Sequence, residues 1–152
     1  MENIFFKKDL IKFKQPIDFN YISKLLNNNN LNSYLQNEWS NQYVLNSTFR
    51  ISNIQDDKDF LELFDYLNEN YNKENIKSNL YFFLSFKLGS TGITHFDNYD
   101  VIIIGAYGET IYNLEGKEYR VCVGDLLKIP KYVKHTAISM TPRIVLSYGK
   151  YN

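Results

Sequence analysis

The sequence predicts one mainly β domain with a helical segment at its N-terminal end. A length of 152 residues with 44% hydrophobic content suffices for a single core and calls for no second domain. Aromatic residues reach 16%, mostly Tyr and Phe, a composition that suits sheets and pocket walls. The hydrophobic period changes near Leu80 from the helical repeat to short β-branched and aromatic runs. We therefore read residues 1–152 as one domain, with a mostly helical segment over 1–78 and a β-barrel core over 79–152.

The opening MENIFFKKDL lacks the basic cap, long apolar run and small-residue cleavage site of a signal peptide, and no later stretch is long enough to span a bilayer. The expectation is a soluble, intracellular, cytoplasmic protein. Phe19, Ile22, Leu25 and Leu26 before the Asn27–Asn30 run, and Leu31, Tyr34 and Leu35 after it, repeat at helical spacing. They predict two short helices joined by an Asn-rich turn. Trp39 fits a core position or a lid equally well. From Asp56, the run DDKDFLELFDYLNENY offers capping acids, then Phe60, Leu61, Phe64 and Leu67 on one stripe, which predicts a helix packed on a sheet.

Six strand-like runs follow: YFFLSFKL, DVIIIGAY, GETIYNL, KEYRVCV, DLLKIP and RIVLSYG. Gly, Asn, Pro or charged residues separate them, as in an antiparallel succession. Leu114-Glu115-Gly116-Lys117 reads as a tight hairpin link and Gly124-Asp125 as a second turn, with Asp125 steadying that turn through its backbone. So many short strands in about seventy residues suit a rolled-up sheet.

Lysine plus arginine and aspartate plus glutamate number 17 each, so net charge gives no footprint for nucleic acid or an anionic membrane. The single cysteine, Cys122, cannot form an internal disulfide and reads as a small strand residue between Val121 and Val123.

The chain has two histidines, both in the β half beside turn residues. In THFD, His95 and Asp97 are one residue apart, and strand side chains alternate, so both project from one face. His135 ends GDLLKIPKYVKH, where Pro130 stops pairing before a new strand begins. Two imidazoles and one carboxylate on one side of an ion form the facial triad of non-haem Fe(II) sites. The same residues are compatible with a surface His-x-Asp pair and a satisfied core histidine. Asp100 is compatible with a strand-end acid or a contact near the site. Lys128, Lys131 and Lys134 read as a solvated edge or as a basic cluster at the barrel mouth. Tyr81, Phe83 and Ser85 alternate on one strand and fit either a pocket wall or core.

The stretch from Gly89 to Gly149 resembles the cupin superfamily, in particular the JmjC-like and cupin-like 2-oxoglutarate oxygenases that include asparaginyl and ribosomal-protein hydroxylases. Gly89, five residues, then His95 resembles the first cupin motif, with Asp97 where the oxygenase branch carries its carboxylate. HFDNYDVIII followed by Gly108 resembles the oxygenase pattern of ligand pair, hydrophobic strand and turn glycine. Gly124, five residues, Pro130 and then His135 is similar to the second motif, with Tyr132 where cupins usually carry glycine. RIVLSYG is similar to the closing strand.

The resemblance implies a double-stranded β-helix (cupin jelly roll) with the helical segment packed on it, Fe(II) as metal and 2-oxoglutarate as small-molecule co-substrate. The implied reaction is oxidative decarboxylation to succinate coupled to hydroxylation or demethylation of a primary substrate that the sequence does not name. A homodimer through an exposed edge is compatible with the family pattern.

The co-substrate's distal carboxylate needs a cation or several hydroxyl donors. The JmjC-like hydroxylases carry Lys or Arg two residues after the turn glycine, where this chain has Thr110. Arg143 on the last strand is the replacement candidate, with Ser147 on its face by alternation; Thr110 and Tyr112 are hydroxyl candidates. A rim ion pair is the other reading of Arg143. Two alternatives remain open: a metal cupin that does not use 2-oxoglutarate, such as an isomerase or a dioxygenase binding substrate directly at the metal, and a non-catalytic small-molecule-binding barrel.

Overall fold

The computed structural model describes residues 3–27, 48–90 and 92–150. The expected second helix at Leu31–Leu35, the Asn-rich turn before it and Trp39 lie outside the described residues. The described elements are β1 (Phe5–Lys7), α1 (Phe19–Asn27), β2 (Thr48–Ile51), a 3₁₀ turn (Ile54–Asp56), α2 (Leu61–Tyr71), β3 (Ser78–Ser85) and β4 (Gly89–Ser90). There follow β5 (Val101–Tyr107), β6 (Thr110–Leu114), β7 (Lys117–Val121), β8 (Leu126–Ile129), β9 (His135–Ser139) and β10 (Arg143–Lys150).

The strands form two antiparallel sheets, one ordered β1-β8-β5-β10-β3-β2 and the other β4-β9-β6-β7. Leaving aside β1 and β2, the eight strands β3 to β10 divide as β8-β5-β10-β3 against β4-β9-β6-β7. That is the two-Greek-key order of a jelly roll, a double-stranded β-helix. The predicted turns are in place: Glu115 and Gly116 both take positive φ, as a two-residue hairpin link requires. Gly124 also has positive φ, and Asp125 is buried, accepting the Cys122 N–H at 2.9 Å and the Asp9 N–H at 2.8 Å.

The six-stranded sheet is covered on both faces, which is why VIIIGAY is apolar throughout rather than alternating. On β5, Ile102 and Ile104 join Phe82, Leu146 and the helices in one core, while Val101 and Ile103 join Tyr112, Leu127 and Val145 between the sheets. Ile22 and Leu25 of α1 and Leu67 of α2 seat the helices on the outer core.

Four expectations need correction. The N-terminal half supplies strands as well as helices: β1 pairs with β8 and β2 pairs with β3, each extending an edge of the large sheet. The acids before α2 do not cap it. Asp57 instead accepts the Asp59 N–H at 2.9 Å, and Phe60 stands at the cap position with no side-chain bond to the helix. Leu61 is exposed because the buried face runs through Phe60, Leu63, Phe64 and Leu67, to which Leu61 does not belong at 3.6 residues per turn. Cys122 lies beyond the end of β7, half-buried in the turn that Asp125 organises.

Candidate metal centre and cavity

THFD is not a regular strand. The segment from 92 to 100 crosses from β4 in the small sheet to β5 in the large one, and makes one antiparallel bridge, His95 to His135. The His95 N–H donates to the His135 carbonyl at 3.1 Å and the His135 N–H to the His95 carbonyl at 2.8 Å. Directly opposed residues face the same way, so the rings stand with centroids 4.4 Å apart. Asp97, two residues on in extended backbone, turns to the same side: its Oδ2 is 3.6 Å from His135 Nε2. A second tie fixes the segment, since the Tyr132 N–H donates to the Asp97 carbonyl at 2.7 Å.

One donor atom each from His95, Asp97 and His135 lies within 4.8 Å of the other two. Each histidine places Nδ1 3.0 Å from a backbone carbonyl, that of Ile93 for His95 and that of Val133 for His135. A carbonyl only accepts, so Nδ1 carries the proton and Nε2 keeps its lone pair. Burial pushes the His135 pKa below its ordinary 6.5, which favours the neutral ring that a metal needs. First-row ions bind such donors at about 2.0–2.2 Å, so three donors on one face of an ion stand about 3.0 Å apart, and side-chain rotation brings the three atoms to that spacing. The donor set fits one divalent ion.

The three residues open onto a cavity of about 370 Å³ between the sheets. Its far wall comes from β10 and β3, where Arg143, Val145 and Ser147 alternate on one strand and Tyr81 and Phe83 on the next. Arg143 is 3% exposed and its Nη1 donates to the Tyr112 hydroxyl, 3.2 Å away on the opposite sheet. The expected pair of Arg143 and Ser147 therefore lines the same cavity as His95, Asp97 and His135. Thr110 is buried on the face of β6 that carries Tyr112, but is not part of the cavity wall. Of the three wall candidates on β3, Tyr81 and Phe83 line the cavity, whereas Ser85 is buried with its hydroxyl donating to the Lys87 carbonyl at 3.3 Å.

The basic cluster around Pro130 does not face the cavity. Lys128 points to the outer side of β8 and pairs with Asp100 at 2.7 Å, and Lys131 reaches Glu74 at 3.3 Å. Asp100 also accepts the Lys131 N–H at 2.9 Å, so its work is to pin the Pro130 turn to the start of β5.

The sequence reading missed Thr48 and Arg50 of β2, which line the cavity. The signal in β2 is a single alternation, Thr48 and Arg50 inward with Phe49 and Ile51 outward, only four residues long.

No family model matches the chain, and no curated protein matches it by sequence. Solved structures do match. The ribosomal oxygenase YcfD from Escherichia coli, in complex with cobalt and succinic acid, aligns with a TM-score of 0.72 at 18% identity over 99% of this chain and 48% of that one. The same oxygenase in complex with cobalt and 2-oxoglutarate gives 0.68 at 18% identity, with the same coverage. A further structure of E. coli YcfD gives 0.74 at 16% identity over 99% of this chain and 50% of that chain. The chain thus spans about half the length of these structures. Strand order and structural likeness agree: this chain has a double-stranded β-helix fold, which it shares with these YcfD structures.

Proposed function

We propose that the protein is an Fe(II)- and 2-oxoglutarate-dependent dioxygenase, acting as a hydroxylase, in which His95, Asp97 and His135 hold the metal. The observation that carries this reading is a buried guanidinium, Arg143, in the wall of the cavity onto which the three donors open. A dicarboxylate co-substrate needs a metal at one end and a cation at the other. The structurally similar E. coli oxygenase is in complex with cobalt and 2-oxoglutarate, which supports a divalent metal and this co-substrate together.

When bound, metal and co-substrate supply the oxidising power for inserting oxygen into a C–H bond. The chain's residues supply the setting. The Ile93 and Val133 carbonyls hold the two rings by their Nδ1–H groups and leave Nε2 directed at the metal position. Tyr112 holds the Arg143 side chain from the opposite sheet, which fixes the guanidinium in the wall where a distal carboxylate would meet it, with the Ser147 hydroxyl on the same strand face. Val101, Ile103 and Val145 give the cavity apolar walls that limit water around these charges.

Anaerobic reconstitution with Fe(II) followed by 2-oxoglutarate tests the reading. The expected result is a weak visible charge-transfer band, then succinate once oxygen is admitted, with both lost in His95→Ala and the 2-oxoglutarate affinity reduced at least about tenfold in Arg143→Gln. Metal-loaded protein giving neither band nor succinate points to a metal cupin that does not use 2-oxoglutarate.

A further inference from the structure

The charge lining the cavity exceeds what one metal ion and one dicarboxylate require. Arg50 and Arg143 are cationic, and Asp97 is the only carboxylate among the described residues that turn a side chain to the wall; Lys150, opposite Ser78 on β3, carries its side chain to the outer face with Tyr148. A divalent ion and a doubly charged co-substrate cancel one another, so one positive charge remains after both are bound. Arg143 is committed to the depth of the cavity by its bond to Tyr112. The surplus therefore sits on Arg50, which is exposed.

Strand register separates Arg50 from Arg143. Arg143 lies opposite Ser85, whereas Arg50 lies opposite Phe83, which in turn faces Val145. Arg50 is thus two strands across and two residues along, about 10 Å by about 7 Å, or roughly 12 Å between Cα atoms. Its guanidinium leans further away, over the Tyr81 ring at 5.3 Å from the centroid, and Tyr81 is opposite Ser147. The same tyrosine donates its hydroxyl to the Lys150 carbonyl at 3.3 Å, so the ring beneath Arg50 is itself tied to the end of β10. The cation–π contact with Tyr81 holds the guanidinium over the ring and leaves N–H groups to meet a ligand. No ion pair among the described residues involves the side chain of Arg50 or Lys150.

We propose that Arg50 forms an oxyanion subsite at the cavity mouth, and that the primary substrate is a small molecule carrying a carboxylate or phosphate. The proposal rests on the reading of the cavity as a metal and 2-oxoglutarate site. It adds the chemical class of the molecule to be oxidised. The cavity, about 370 Å³, lies near the low end of the range for small-molecule sites, so beside the co-substrate it admits a small group and not a folded surface. A bidentate contact at Arg50 sets that group's distance from the metal, which decides the carbon that reacts.

The test uses the full chain loaded with Mn(II), a paramagnetic ion, and saturated with 2-oxoglutarate, with Zn(II)-loaded protein as the diamagnetic baseline. Inorganic phosphate is titrated in one arm and acetate in the other, and the paramagnetic broadening of their NMR signals is measured in wild type, Arg50→Gln and Lys150→Gln. Broadening in wild type that falls about tenfold in Arg50→Gln and is unchanged in Lys150→Gln, whose side chain lies on the outer face, is expected, and the arm with the tighter binding identifies phosphate or carboxylate as the group recognised. No broadening in wild type in either arm, or broadening unchanged in Arg50→Gln, overturns the subsite. A separate titration of 2-oxoglutarate into the Mn(II)-loaded proteins, before any is added, keeps the two readings apart: its failure to bind removes the proposed activity, whereas its normal binding to Arg50→Gln beside lost anion binding isolates the mouth subsite from the co-substrate site.

Discussion

His95 and His135 carry the same ring in opposite surroundings. His95 is exposed on a crossing segment, whereas His135 is 6% exposed at the start of β9. Substitution should split accordingly. His95→Ala is expected to abolish metal binding while changing unfolding stability by no more than about 0.5 kcal/mol, and His135→Ala to abolish it at a cost of about 1–3 kcal/mol, because a buried ring and its bond to the Val133 carbonyl are lost. Metal titration together with denaturant unfolding of the metal-free proteins checks both halves. Equal stability losses would contradict the placement of the two rings. This cluster of donors was legible in the sequence because histidine is so scarce in it and a one-residue spacing puts His95 and Asp97 on one side of any extended backbone. Arg50 was not legible, since nothing local distinguishes a cavity-facing arginine from a solvated one on a four-residue edge strand.

Elements were legible where period and punctuation agreed. Strands β5 to β8 stand between turns whose glycines need positive φ, and both signals point to the same boundaries. The segment carrying His95 has no such period, because it is anchored by one bridge and by the Tyr132 N–H rather than by a ladder. Gly105 shows a constraint invisible in sequence: the turn after β7 passes directly over β5, with the Gly105 N–H donating to the Asp125 carbonyl at 3.1 Å and the Gly124 N–H to the Gly105 carbonyl at 2.9 Å. An added Cβ at Gly105 would stand 2.0 Å from the Cys122 carbonyl oxygen. Gly105→Ala should therefore destabilise the fold by about 3 kcal/mol, the upper end for overpacking, since backbone rather than a flexible side chain must move; a melt unchanged from wild type would show that the turn does not cross there. The helical layer offers a pH test. Tyr21 on α1 donates to Asp59 at 3.3 Å, and burial, with the charges of Asp57 and Asp59, raises its pKa above the ordinary 10.0. The phenol stays neutral in the folded state while it ionises in the unfolded chain, so its contribution is whole below pH 10 and is lost as pH rises towards the folded value. Stability measured between about pH 9 and about pH 11 should fall less steeply in Tyr21→Phe than in wild type.

The two sheets close at one end and part at the other. At the closed end Phe6 of β1 meets Tyr119 of β7 edge-on, with ring centroids 5.7 Å apart, and the inner core fills the space. At the open end β2, β3 and β10 face the His95 segment and β9 across the cavity. The jelly-roll order was foreseeable from the succession of short strands, but not the extension of the large sheet by β1 and β2, because strands of three and four residues carry too little pattern to separate from loop. One consequence belongs to the whole molecule. The crossing segment that bears His95 and Asp97 joins β4 of the small sheet to β5 of the large one, and His135 begins β9, so an ion held by all three fastens the crossing to the small sheet at the open end. Binding to the native state alone stabilises by about 2.7 kcal/mol at a free concentration about a hundredfold above Kd, which for a domain of this size raises Tm by about 5–10 °C. Chelator-treated protein should therefore melt lower than protein with Mn(II) or Fe(II) restored, and His95→Ala should show no difference between the two. A shift that persists in His95→Ala would mean the ion acts elsewhere on the molecule, and equal melts in wild type would mean that the three donors, though gathered at one point, do not share an ion.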